Sequence, residues 1–110
     1  MLSHTSGLAE YETDARTKRP FYLRLDCTET ELFDKIAALP MDFRPGEKWR
    51  YTNTNYVILG MMIRKVTGQF YGDFLAERIF RPLGMTATRI ISERDIIPNR
   101  SSGYEWVKGD

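Results

Sequence analysis

Apolar residues fall at helical spacing over three stretches of the 110-residue chain and lose that spacing on either side. The first stretch begins at Thr28, placed three residues before Glu31, where each side chain can bond the other's free backbone N–H. Leu32, Phe33, Ile36 and Leu39 then share one face, and Glu31 and Lys35 pair at i,i+4 on the other. Pro40 disfavours helical geometry in the residue before it, so the spacing predicts a helix over 29–38. In the second stretch Val57, Ile58, Leu59, Met61, Met62, Ile63 and Val66 cover nearly the whole circumference. Asn53 or Thr54 is the expected N-cap. Arg64 and Lys65 stand where the helix dipole favours cations, and Gly68 is the expected stop. A helix that is apolar all round is a buried one, so this helix is expected at the centre of the packing. The third helix is predicted over 70–80, with Phe70, Phe74, Leu75 and Ile79 as its stripe and Asp73, Glu77 and Arg78 toward water. Pro82 ends it, and Leu83-Gly84-Met85 reads as a tight turn that tucks two apolar side chains beneath the helix end.

The connecting segments follow other rules. In Phe43-Arg44-Pro45-Gly46, Pro presets φ and Gly supplies a positive φ, which predicts a type II turn. Residues 49–52 are then extended. Residues 1–8 read as a helix end running into a Ser/Thr/Gly loop, and 9–27 as a charged, irregular surface loop containing Pro20. Residues 88–92 and 103–108 are short β-like segments, the second resembling one arm of a hairpin. The fold class is therefore mainly α with short β segments. One domain is expected, with a variable loop over 9–27, a helical core over 28–85 and short β segments over 86–110.

Composition narrows the functions. With 42% hydrophobic and 28% charged residues the chain is not of disordered type. Sixteen basic against fifteen acidic residues leave +1, which gives no general pull toward nucleic acid or an anionic membrane. The Arg16–Arg19 run reads as a solvated loop rather than a nucleic-acid patch. No apolar run reaches the roughly 20 residues of a membrane span, and the first residues lack the basic-then-apolar layout of a signal peptide. Cys27 is the only cysteine, which excludes an internal disulfide and a thiolate metal site; it is expected to be an inert thiol. Carboxylates are scattered without metal-ligand spacing. Met61 and Met62 read as core filler, and Trp49 and Trp106 as core or pocket wall.

The stretch PGEKWRYTNTNYVILG at 45–60 carries the candidate chemistry. Tyr51 and Asn53 stand two apart in an extended segment, so their side chains point the same way. On the residues alone they are either a core aromatic and a helix cap, or a phenol and an amide presented to a pocket. Three stretches settle on one family: SHTSGL at 3–8, PGEKWRYTNTNYVILGMMIRKVTG at 45–68 and FLAERIFRPLGMTATR at 74–89, with the tail IIPNRSSGYEW at 96–106. In this order and spacing they resemble the serine β-lactamase-related hydrolases of the class C type. That group comprises class C β-lactamases, DD-peptidases and β-lactamase-like esterases. The resemblance covers most of the chain apart from 9–27.

It implies the helical portion of the α/β serine β-lactamase/penicillin-binding-protein fold, incomplete here. It also implies an amide or ester substrate cleaved through an acyl-serine, with no metal or organic cofactor. The family's chemistry uses Ser-x-x-Lys, Tyr-x-Asn (or Ser-x-Asn), and Lys-Thr-Gly or His-x-Gly. Tyr51 and Asn53 match the second element, Tyr51 as base or proton relay and Asn53 as lysine-holder and donor to the substrate carbonyl. A serine hydroxyl needs a base within hydrogen-bond reach, and a phenol titrating near about 10 can serve once lysine ammoniums favour its phenolate.

The departures are equally definite. Ser3, Ser6, Ser92, Ser101 and Ser102 all fail Ser-x-x-Lys, and no Lys-Thr-Gly is present. Lys65-Val66-Thr67-Gly68 has an extra residue and lies at a helix end. His4, Thr5 and Ser6 are too close in sequence for a catalytic pair and read as a structural turn. The chain is thus expected to be an internal segment of the fold, inactive alone, with the apolar face of helix 54–67 left bare and prone to self-association. The rival reading is a non-catalytic helical interaction module, which expects Tyr51 packed away and a self-sufficient core. Whether the parent's substrate is a β-lactam, a peptidoglycan peptide or a simple ester stays open, as does its compartment.

Overall fold

The computed structural model describes residues 1–12, 27–92 and 94–104. The Arg16–Arg19 run, Pro20, Trp106 and most of the 103–108 segment lie outside the described residues. Three α-helices follow in order: α1 (Glu29–Ala37), α2 (Asn53–Thr67) and α3 (Tyr71–Leu75). α3 continues without a break into a π-helical turn over Ala76–Phe80. α2 lies between α1 and α3 and packs against both.

α1 forms as its sequence predicts. The Thr28 hydroxyl accepts the Glu31 N–H at 3.2 Å, and the Glu31 carboxylate accepts the Thr28 N–H at 2.7 Å. Ile36 is buried, Leu32 and Leu39 are half-buried, and Phe33, at the edge of the stripe, is exposed. At the far end of α2, Arg64 meets Glu29 at 2.7 Å; both side chains are exposed, so this pair contributes only about 0–1 kcal/mol. The turn before α2 has the expected form: Gly46 takes φ +84 and the Glu47 N–H reaches the Arg44 carbonyl at 3.0 Å.

α2 departs from expectation at both ends of its burial pattern. Its N-cap is Thr52, whose hydroxyl accepts the Thr54 N–H at 3.2 Å, rather than Asn53 or Thr54. Gly68 closes it in the left-handed conformation at φ +75, as read. Its buried residues are Thr54 and Asn55, both 0% exposed, whereas Met62 is exposed and Val66 is 83% exposed. The helix expected at the centre therefore buries two polar residues near its start and leaves Met62 and Val66 of its apolar run exposed. Among the described residues Ile36 is the only buried hydrophobic side chain. Met62, expected as core filler, and Trp49 are exposed.

Three further expectations are corrected. Residues 1–8 contain no helix end; they form a turn in which the His4 N–H meets the Met1 carbonyl at 2.9 Å. Residues 88–92 and 103–104 form no strand, and no strand occurs among the described residues. A strand exists only by pairing, and no described segment lies alongside to pair with them. Ile90 instead packs on Gly72, its Cβ 3.0 Å from where a side chain at that glycine would begin. Leu83 and Met85 are exposed rather than tucked, although Gly84 does turn the chain at φ +65.

Candidate functional site

The start of α2 is built by the N-terminal segment crossing over it. The His4, Thr5 and Gly7 carbonyls accept the N–H groups of Arg50, Gly46 and Asp42 at 3.0, 2.7 and 2.9 Å, lacing residues 4–7 to 42–50. Gly7 is required there: φ is +78, and a Cβ would stand 1.9 Å from the Phe43 carbonyl oxygen. The segment then supplies partners to the N–H groups that a helix start leaves free. The Glu10 carboxylate accepts the Asn53 N–H at 2.9 Å, a negative charge placed where the helix dipole favours it. The Thr54 hydroxyl donates to the Ala9 carbonyl at 2.7 Å and accepts the Tyr11 N–H at 3.0 Å. Burial, with the neighbouring Glu12 charge as the next cause, pushes the Tyr11 phenol above its ordinary 10.0.

Asn55 is the hub of the buried cluster. Its Oδ1 accepts from the Ser6 hydroxyl at 2.5 Å, and its Nδ2 meets His4 Nδ1 at 3.2 Å. The Thr52 N–H also reaches that nitrogen, at 3.4 Å. Among the described residues no buried side-chain polar atom lacks a partner, so this polar core is satisfied rather than strained.

Tyr51 stands at the edge of the cluster, 59% exposed, with its hydroxyl donating to Asn53 Oδ1 at 2.9 Å. The two candidate residues are thus brought together at the open mouth of α2. Thr52, between them, has φ −152 and ψ 135, the extended geometry that lets positions two apart face the same side. The Tyr51 ring rests on His4 with centroids 4.7 Å apart, and Trp49 and Tyr56 flank the same imidazole at 6.3 and 5.4 Å. The adjacent cation, Arg50, is held by Asp42 at 2.6 Å.

Sequence reasoning read His4 and Ser6 as a structural turn and Thr54 as a possible cap, and passed over Glu10 and Asn55 as partners in this cluster. One signal pointed to such a cluster: three polar residues, Asn53, Thr54 and Asn55, open a largely apolar helix, and polar groups entering a core must find partners. Among the described residues no three His, Cys, Asp or Glu side chains gather as metal ligands, and no helix is long and apolar enough to cross a membrane. Cys27 is exposed. A groove of about 1000 Å³ runs along the bare side of α2. It is walled by Leu32, Val57, Ile63, Val66, Tyr71 and Phe74, with Asn53 on its lining and Tyr51 outside it. The apolar groove therefore reaches the amide of the pair at Asn53 but not the Tyr51 phenol.

The sequence matches the Beta-lactamase family over residues 1–110. Penicillin-binding protein 4* of Bacillus subtilis (strain 168) is 34% identical over 112 residues, a match spanning 96% of this chain and 23% of that protein. The crystal structure of D-amino acid amidase from Ochrobactrum anthropi SV3, complexed with L-phenylalanine amide, superposes with a TM-score of 0.62 at 38% identity. It covers 77% of this chain and 23% of that one. D-stereospecific amidohydrolase from Streptomyces sp. superposes with the same TM-score at 40% identity, over 76% of this chain and 26% of that one. The chain thus spans about a quarter of the length of the relatives it matches. A family match over the whole sequence, joined to solved relatives that share these helices at more than a third identity, makes the chain a member of the Beta-lactamase family of serine hydrolases.

Proposed function

We propose that residues 1–110 carry the Tyr-x-Asn element of a serine hydrolase that cleaves an amide or ester through an acyl-serine. The observation that carries this reading is the 2.9 Å hydrogen bond from the Tyr51 hydroxyl to Asn53 Oδ1 at the exposed start of α2. In the complete site lysine ammoniums hold Tyr51 as the phenolate, and its oxygen, no longer donating to Asn53, takes the proton of the nucleophilic serine as that serine attacks the carbonyl carbon. The same proton then passes to the departing amine or alcohol, and water, deprotonated in turn, releases the acyl group. Asn53 then offers its Oδ1 to the lysine ammonium and donates its Nδ2 to the substrate carbonyl. The chain lacks Ser-x-x-Lys and Lys-Thr-Gly, and no turnover is expected from it alone. The amidase and amidohydrolase neighbours support an amide with a D-amino acid acyl part as the substrate to try first.

The exposure of Tyr51 and the scarcity of buried apolar side chains speak against a self-sufficient interaction module. Incubating the chain with a chromogenic cephalosporin, a p-nitrophenyl ester and a D-amino acid amide is expected to give no turnover. Turnover that disappears in Tyr51→Phe would show that the missing nucleophile is not missing. A chimera in which residues 1–110 replace the matching segment of penicillin-binding protein 4* supplies the rest of the domain. There Tyr51→Phe is expected to lower kcat by about 10²–10⁴-fold, and an unchanged kcat ends the proton-transfer role.

A further inference from the structure

We propose that His4 is a positioning residue for Tyr51, an inference that rests on the catalytic reading of Tyr51 for its importance but on the geometry for its content. His4 grips the chain on both sides of Tyr51. Its carbonyl accepts the Arg50 N–H at 3.0 Å, and its Nδ1 accepts the Thr52 N–H at 3.4 Å. Between these two bonds its ring lies against the Tyr51 ring, centroids 4.7 Å apart and planes inclined by 37°. The Arg50 bond is made by the His4 backbone; the Thr52 bond and the ring contact are made by its side chain. The grip requires φ +56 at His4, a left-handed conformation that non-glycine residues seldom adopt.

The hydrogen-bond directions are fixed by one group that has no choice. A backbone N–H can only donate, so Nδ1 facing Thr52 is an acceptor, and a neutral ring carries its proton on Nε2. Asn55 must then turn its Nδ2 to the same nitrogen, at 3.2 Å, which leaves Oδ1 to accept from Ser6. Ser6 accepts the Leu8 N–H on its oxygen at 3.2 Å and gives its one hydroxyl hydrogen to Asn55. The buried cluster therefore works as a directional scaffold: Ser6 orients Asn55, Asn55 and Thr52 orient the imidazole, and the imidazole sets the Tyr51 ring. Trp49, edge-on at 74°, and Tyr56, with its centroid 5.4 Å away, also lie against the imidazole.

The test uses the 110-residue chain with labelled histidine and tyrosine rings, read by NMR. Wild type is expected to show the Nε2–H tautomer and ring-to-ring contacts between His4 and Tyr51. His4→Asn keeps a side-chain acceptor and tolerates positive φ, so Thr52 amide exchange stays within about threefold of wild type while the Tyr51 ring loses its fixed environment. His4→Phe keeps a ring and loses the acceptor, so Thr52 exchange quickens about tenfold while Tyr51 keeps its ring contacts. His4→Ala loses both. An Nδ1–H tautomer in wild type overturns the proposal, as does His4→Ala with Tyr51 and Thr52 signals unchanged. Should the variants not fold, the wild-type tautomer and ring contacts decide alone. None of these readouts is turnover: a failed proton-transfer role for Tyr51 would leave them standing, and their failure would leave that role untouched.

Discussion

The two halves of α2 obey opposite rules. Its first turn holds its two fully buried residues, Thr54 and Asn55, both polar; its second half leaves the apolar Met62 and Val66 exposed. In a self-sufficient domain the reverse is expected, since burying apolar surface is the main favourable term. The polar start is complete because its partners, residues 4–12, are present in the chain and supply an acceptor or donor for each group. Met62 and Val66 are exposed because no described segment fills the groove along this side of α2. Proximity of the partner segment, not polarity of the residue, decides what is buried here.

The comparison breaks most visibly at Gly7. Gly7→Ala places a methyl 1.9 Å from a backbone carbonyl that cannot swing aside, in a φ region costly to any L side chain. A loss of about 3 kcal/mol or more is expected in denaturant unfolding followed by circular dichroism. A loss below about 0.5 kcal/mol would mean that the lacing of 4–7 to 42–50 does not hold the polar start together. Asn55→Ala comes next, at about 1–3 kcal/mol, because it strips partners from Ser6 and His4 inside a closed space. Met62→Ala, on the same helix but exposed, is expected to cost no more than about 0.5 kcal/mol. Equal costs for Asn55→Ala and Met62→Ala would erase the distinction between the halves.

The same contrast explains what the sequence revealed. Local signals were legible: the Thr28–Glu31 capping box, the Pro45–Gly46 turn and the Gly68 stop each depend on residues a few positions apart. The Tyr51–Asn53 pairing was legible for the same reason, since extended geometry makes positions two apart neighbours. Asn55 with His4 and Ser6 was not, because those contacts join residues about 50 apart and leave no periodic trace. Assigning the α2 cap to Thr52 needed the fold as well, since the Glu10 carboxylate occupies the Asn53 N–H that a local reading leaves free. The apolar run of α2 correctly predicted a helix but not its burial, which depends on what lies opposite. The π-helical turn at Ala76–Phe80 follows an apolar stripe indistinguishable from that of an α-helix.

At the open half, a smaller effect on stability accompanies a visible one on association. Met62 and Val66 stand one turn apart on one exposed face, and a net charge of +1 opposes contact between copies only weakly. A second copy is the occupant expected for this face. Elution in size-exclusion chromatography should shift to larger size with concentration, and Val66→Lys should move it back toward the monomer while unfolding free energy changes by less than about 0.5 kcal/mol. A wild-type monomer at every concentration would show that the bare half is tolerated as it stands.

The smallest effect separates the caps of α1 and α2. α2 is capped by the neutral Thr52 hydroxyl, α1 by a box whose second member is a carboxylate. The Thr28 backbone N–H, and after it the Thr28 hydroxyl, hold the Glu31 carboxyl below its ordinary 4.5. A folded value below the unfolded one means that the unfolded chain binds more protons as pH falls, so this support is present above 4.5 and is lost as pH drops through the lowered folded value. The Thr28 amide resonance should therefore move with an acid midpoint below 4.5, and its exchange should quicken across that step. Glu31→Gln keeps a side-chain oxygen for the box but carries no titrating proton, so the step should vanish while α1 remains helical at neutral pH. A midpoint at or above 4.5 would mean that Thr28 does not stabilise the ionised carboxylate, and α1 would then be held by Ile36 and its neighbours alone.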